Sequence, residues 1–242
     1  MGLSSNAVIH FTDNIEALKG ILGNNFKITY CHERILLEDK QIDIMVPMVS
    51  FCDMPLSQVK EHIGKYGSYG IGLTKEWAEK QKLNPVLYIE KNSYLSRSIR
   101  KVLDTFLGKH ETLDKLKEEE KAILDVTRYM KNYQSDLVRA NKPTLKDYRF
   151  YDEREWRYVL DYTLTNYPVA SPDMSKTTLN NSIKNHVLEF EPDDIKYIII
   201  QDESEIKEFL SLLRSAKGKY SHDIVEALMT KIITSKQIKE DF

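Results

Sequence analysis

Three short stretches of this chain hold residue types and spacings that could do chemistry. The first is His10-Phe11-Thr12, at the end of an apolar run. A histidine there can donate from its ring to a ribose or phosphate oxygen while the threonine hydroxyl assists. The plainer reading is a helix-entry turn with a half-buried histidine. The second is Ser50–Pro55 together with the glycine-aromatic weave Tyr66-Gly67-Ser68-Tyr69-Gly70-Ile71-Gly72-Leu73. Glycines there permit positive φ and close approach, and the rings of Tyr66 and Tyr69 offer flat faces for a nucleobase or nicotinamide. The plainer reading is a tight strand pair with aromatic packing. The third is Tyr151-Asp152-Glu153-Arg154-Glu155-Trp156-Arg157. On a strand, Glu153, Glu155 and Arg157 share one face, with Trp156 and Tyr158 turned the other way as core residues. Two carboxylates beside arginines could polarise a sugar hydroxyl and steady a cationic sugar. A surface ladder of ion pairs has the same pattern.

Weaker constellations are Cys52 with His62 as a nucleophile–base pair, and Cys31, His32, Cys52 and His62 as zinc ligands. Neither spacing matches a known signature, so no metal is expected. The chain carries no P-loop, GxSxG elbow, HExxH or dinucleotide GxGxxG.

The elements that must position these residues follow from periodicity. Met45–Cys52 reads as a buried strand, Pro55 as a turn, and Ser57 as the cap of a helix over Gln58–Tyr66. Thr74 caps a further helix. Ala7–Thr12 is a strand, and Thr12 or Asp13 caps the helix Asn14–Leu22. His32–Ile42 reads as a charged surface excursion. Val86–Ile89 is a strand. Tyr94–Leu107 and Leu113–Val138 have helical spacing and form a helical insertion at about 94–138. Arg139–Arg149 reads as a basic connector, and Glu155–Thr163 as a strand. Thr165–Asn185 reads as a mobile loop. The strands His186–Phe190 and Ile195–Gln201 follow, then the helix Glu203–Ser215, a helix over Tyr220–Met229 and a last strand over Lys231–Ile238.

The 242 residues suffice for one large domain or two small ones. The 41% hydrophobic and 30% charged content fits a soluble globule, and a net charge of -2 is not that of a protein that coats DNA. Two cysteines and no signal peptide or membrane-spanning run point to a reducing cytoplasm.

HFTDNIEALKGIL near the start, VSFCDMPL with KYGSYGIGLTKEW in the middle, NPVLYIE, and ITSKQIKEDF at the end resemble the AbiGi family. That family belongs to the abortive-infection systems of bacterial phage defence and often carries the label antitoxin. More distantly, His-aromatic-Thr on a first strand, followed at once by a helix, resembles the opening of DarT-like ADP-ribosyltransferases. This second resemblance implies that NAD is a co-substrate, held by His10, Phe11 and Thr12 with Ser50 nearby. It also implies a tyrosine on nicotinamide (Tyr69, or Tyr66) and Glu155, with Glu153, as the catalytic carboxylates. Phe11 stands where that family commonly has tyrosine. The expectation is an α+β, ADP-ribosyltransferase-like mixed β core over residues 1–242, interrupted by the helical insertion. Its function would be transfer of ADP-ribose from NAD to a macromolecule, with nucleic acid tracked by Arg139, Lys142, Lys146 and Arg149. The alternative is a non-catalytic antitoxin that binds a toxin partner or nucleic acid. For the four basic residues, the alternative is a solvated connector.

Overall fold

The computed structural model describes residues 5–107, 117–139, 142–215 and 221–241. The chain is mixed α+β, with a mostly antiparallel main sheet. It divides into two compact units. The first holds residues 1–27, 49–84 and 185–242, and the second 28–48 and 85–184. The strand Lys40–Cys52 is continuous across the division at 48/49.

In the first unit, Ala7–Thr12 pairs antiparallel with Tyr69–Thr74 over its whole length, from Ala7 opposite Thr74 to Thr12 opposite Tyr69. On its other side Ile9 lies opposite Cys52. Tyr69–Thr74 pairs next with Ile195–Ile200, which runs parallel to Ile232–Thr234. The apolar runs Ala7-Val8-Ile9 and Ile198-Ile199-Ile200 are buried throughout, as inner strands covered on both faces must be. Asn14, rather than Thr12 or Asp13, caps the helix Ile15–Asn24, its side chain accepting from the Glu16 amide. Leu18 and Leu22, four apart, are its buried residues. Ser57 falls inside a 3-10 turn, Leu56–Gln58, and the helix starts later, at Lys60–Tyr66. Thr74 caps Lys75–Lys80 as its side-chain oxygen accepts from the Trp77 amide at 3.2 Å. The segment read as a last strand is extended only over Ile232–Thr234 and then becomes the helix Ser235–Asp241. Thr234 and Gln237 exchange backbone-to-side-chain hydrogen bonds at that point, a capping box that ends the strand.

In the second unit, His32–Ile42 is not a surface excursion but most of a long hairpin. Thr29–Leu37 pairs with Lys40–Cys52 from Thr29 opposite Met48 to Leu37 opposite Lys40. His32, Arg34 and Asp43 sit on one face and Ile35, Leu37, Ile44 and Val46 on the buried one, which Glu33 shares, the alternation of a half-buried strand. These four pack with Ile89, Leu103, Met130 and Val159.

The helices Tyr94–Leu107 and Glu118–Thr127 follow the strand Leu87–Ile89, and the next strand, Met130–Asn132, is parallel to it. The helical stretch is therefore the crossover that two parallel strands require. It ends at Thr127, because Met130–Asn132 and Ser135–Arg139 are strands. Leu113 and Leu116, which carried part of the helical spacing, lie outside the described residues. Arg139–Arg149 is largely the second strand of a hairpin, Lys142–Tyr148 against Ser135–Arg139. The segment Thr165–Asn185 contains a helix, Lys176–Ser182, capped by Ser175 and anchored by buried Leu179. Tyr30 ties this segment down, its hydroxyl donating to the Tyr167 carbonyl at 2.7 Å and its amide to Asn180.

Candidate functional site

A buried polar cluster lies in the second unit around Glu155. Glu155 and Arg157 stand two apart on the strand Glu155–Val159, so the pleat points both to one face. That face is the buried one: Glu155, Arg157 and Val159 are enclosed, while Trp156 and Tyr158 on the other face are only half-buried. This reverses the expected assignment, in which the aromatic face was the core. Glu153 does not share the strand. It ends the 3-10 turn Phe150–Glu153, and Arg154, in the left-handed region at φ 46°, turns the chain into the strand.

Arg157 is 0% exposed. Its Nε donates to Glu155 Oε1 at 2.6 Å and its Nη2 to Glu33 Oε2 at 2.7 Å. Nη1 donates to the Arg128 carbonyl at 2.9 Å. Lys131 Nζ donates to Glu155 Oε2 at 2.7 Å and sits 3.8 Å from Glu153 Oε2. It also lies 4.7 Å from the centre of the Phe150 ring, a cation–π approach. The Glu155 amide donates to the Tyr88 hydroxyl at 2.8 Å. Both oxygens of Glu155 are thus engaged by buried or nearly buried cations.

Burial alone would raise the Glu155 pKa. The Arg157 and Lys131 charges overcome it and hold the carboxyl far below the usual range. Burial would likewise lower Arg157 and Lys131, but the facing carboxylates hold both above their ordinary values. A pocket of about 170 Å³ opens beside the cluster, lined among others by His32, Glu33, Arg34, Lys131, Ser135 and Phe150. Its charges are partnered from within: Asp43 binds His32 and Arg34, Arg157 binds Glu33, and Glu155 binds Lys131.

The other expected site residues lie in the first unit. His10 Nδ1 is 2.8 Å from the Ser50 carbonyl, so these two do meet. The ring packs edge-on to Phe26 at 5.4 Å and near Phe51 at 5.7 Å, within an aromatic core that continues to Trp77 and Phe190. Burial lowers its pKa against the opposing pull of the Ser50 carbonyl, which favours the uncharged ring. Phe11 and Tyr66 both pack on His62, at 5.2 and 4.4 Å. Thr12 Oγ1 accepts from the Asn14 amide. The Tyr69 hydroxyl donates to Glu205 at 2.6 Å, and its pKa is pushed up to about 12 by burial and by that carboxylate. The glycines have local tasks. A Cβ on Gly72 would lie 2.9 Å from the Tyr197 ring, and one on Gly67, at φ 126°, would strike the Thr12 backbone at 2.2 Å.

Of the basic positions, Arg139 and Lys142 face one another across the hairpin backbone. Lys146 pairs with Asp136 at 2.6 Å, and Arg149 lies 3.9 Å from Asp152. Among the described residues no three His, Cys, Asp or Glu side chains gather as metal ligands would. No described helix is long and apolar enough to cross a membrane. Sequence reasoning did not single out Lys131, Glu33 or Tyr88. Lys131 was hidden in a supposed helix, and Glu33 in a supposed surface excursion. The period-two pattern of Ile35, Leu37, Ile44 and Val46 was the available signal for Glu33.

A family model described as "Putative abortive phage resistance protein AbiGi, antitoxin" matches residues 24–201, and the chain belongs to the AbiGi family. Those residues run from the end of the first helix through the hairpin, the crossover and the ion cluster to Gln201. Among curated proteins, the chain is similar to the abortive phage resistance protein AbiGi of Lactococcus lactis subsp. cremoris. The two are 27% identical over 221 residues, which is 81% of this chain and 89% of that protein. No solved structure matches.

Proposed function

We infer that this chain acts in phage defence as an antitoxin-type member of an abortive-infection pair, binding a toxin partner rather than turning over a substrate. The family description supports the defence role and the antitoxin assignment. The observation that carries the non-catalytic half is the state of Glu155. A glutamate that must hold a ribose hydroxyl and steady an oxocarbenium ion needs a free acceptor facing the substrate. Here Lys131 and Arg157 occupy both oxygens inside the second unit's core. Such an arrangement orders a scaffold.

Transfer of ADP-ribose from NAD on an ADP-ribosyltransferase-like fold is the competing reading, and one assay separates the two. The purified protein is incubated with adenylate-labelled NAD and total cellular RNA, DNA and protein. The expected result is no label on any of the three, together with relief of growth arrest when the chain is co-expressed with the toxin of its own locus. Label transferred by the wild type and lost in His10→Ala would establish the enzymatic reading instead.

A further inference from the structure

We propose that Tyr88, Tyr133 and Tyr151 form a stacking platform for single-stranded nucleic acid, with Arg149 and Arg154 binding its phosphates. This goes beyond the antitoxin reading and does not depend on it.

Every large apolar side chain that is exposed among the described residues belongs to the second unit. Most stand singly, which is ordinary for a protein surface. Tyr133 and Tyr151 do not. They are 36% and 47% exposed, so both stay partly open to solvent although they lie against each other. Their centres are 5.5 Å apart with planes inclined by 33°, and Tyr151 meets the half-buried Tyr88 ring at 5.3 Å.

The platform is tied together through backbone. The Tyr151 amide donates to the Tyr133 carbonyl at 3.3 Å, and the Tyr133 amide to the Ile89 carbonyl at 2.8 Å. The Tyr88 hydroxyl accepts from the Glu155 amide, which anchors the third ring to the buried ion cluster. Rings held this way lose little freedom when a ligand arrives.

The flanking charge suits phosphate. Arg154 donates its amide to the Tyr151 carbonyl and is held at φ 46°, a conformation costly for a residue with a side chain. It makes no ion pair with a described residue. Among the described residues Arg149 reaches only Asp152, at 3.9 Å and in solvent, a pairing weak enough to exchange for a phosphate. Asp152 is the carboxylate that opposes this. Neighbouring Glu153 is buried toward Lys131. Stacking on these rings needs unstacked bases, which a single strand offers and a duplex does not.

The test is fluorescence anisotropy of the full chain with labelled oligo(U) and oligo(dT) of about 20 nucleotides, and with a duplex of equal length. Salt is varied between about 50 and 200 mM. Wild type should bind the single strands in preference to the duplex. Tyr133→Leu with Tyr151→Leu, which keeps apolar bulk but removes the π faces, should weaken binding about tenfold or more, while Tyr133→Phe with Tyr151→Phe should stay within about twofold. Arg149→Gln with Arg154→Gly should flatten the salt slope by about 0.7 for each phosphate no longer neutralised. Glycine at 154 accepts the positive φ and so keeps the turn. The proposal is overturned if the folded wild type binds no single strand at low salt, or if the leucine pair binds as well as wild type. It is also overturned if the phenylalanine pair loses as much as the leucine pair. Loss of toxin protection in the leucine pair without any oligonucleotide binding would make this a protein interface, and would overturn it too.

Discussion

Arg157 Nε lies 2.6 Å from Glu155 Oε1, two residues back on the same strand, and both side chains are buried. Breaking a buried pair typically costs roughly 3–5 kcal/mol, and loss of Glu155 leaves enclosed Arg157 to Glu33 and Lys131 to the more distant Glu153. Glu155→Gln should therefore lower unfolding stability by about that amount in urea titrations. Lys131→Met combined with Glu155→Gln should cost less than the two single losses added, because the charges share one network. A loss below about 1 kcal/mol for Glu155→Gln would show that the pair is not enclosed in solution.

The same pair sets a pH window. The folded pKa of Glu155 is depressed below its ordinary 4.5, so its contribution is present above that value and is lost as pH falls toward the folded pKa. Lys131 is raised above 10.5, so its contribution is present below that value and is lost as pH rises through the folded pKa. Stability should fall progressively as pH drops below about 5, and Glu155→Gln should show a shallower fall. Parallel slopes for the two proteins would remove Glu155 from the acid transition.

Gly67 is a second sensitive point. Its φ of 126° and the 2.2 Å approach of a Cβ to the Thr12 carbonyl leave no room for a side chain. Gly67→Ala should cost roughly 3 kcal/mol or more, whereas Gly64→Ala, in open space, should be neutral or slightly stabilising. Thermal melts of the two variants check this, and equal melting temperatures would contradict it.

Tyr69→Phe removes the hydroxyl that donates to Glu205 at 2.6 Å, with Gln201 Oε1 farther away at 3.3 Å. Hydrogen bonds to a charged acceptor contribute about 1.5–3 kcal/mol, and partial exposure places this one near the lower end. A melting temperature unchanged in Tyr69→Phe would mean that the bond contributes nothing measurable.

Much of the first unit was legible because its signals are local. Ala7–Thr12, the Thr74 cap and the isoleucine run of Ile195–Ile200 each follow from a pattern inside a few residues. The second unit was harder. The hairpin Thr29–Leu37 with Lys40–Cys52 carries His32, Arg34 and Asp43 on one face and slips Glu33 among the apolar residues of the other, which hid the alternation. The switch from helix to strand after Thr127 depends on pairing with Leu87–Ile89, some forty residues earlier, and no local propensity reports that. Glu155 stood out as a carboxylate near arginines. What the spacing did not reveal was that the charged face points inward, because only the partners Lys131 and Glu33, distant in sequence, make such burial tolerable.

The order in which residues leave the ribosome gives the two units different histories. Every residue of the second unit has been synthesised once Lys184 is joined. The first unit still lacks Ile195–Ile200 and Ile232–Thr234 at that moment, so Tyr69–Thr74 must wait with an unpaired edge. Domains tend to fold as their chain becomes complete. Vectorial synthesis thus favours closure of the ion-cluster unit first, while Ala7–Thr12, whose Ile9 packs with Ile199 and Ile238, waits for the last part of the first unit. A nascent chain stalled shortly after Lys184 would expose that waiting edge to chaperones and proteases, and a premature stop there would yield one finished unit and one aggregation-prone remainder.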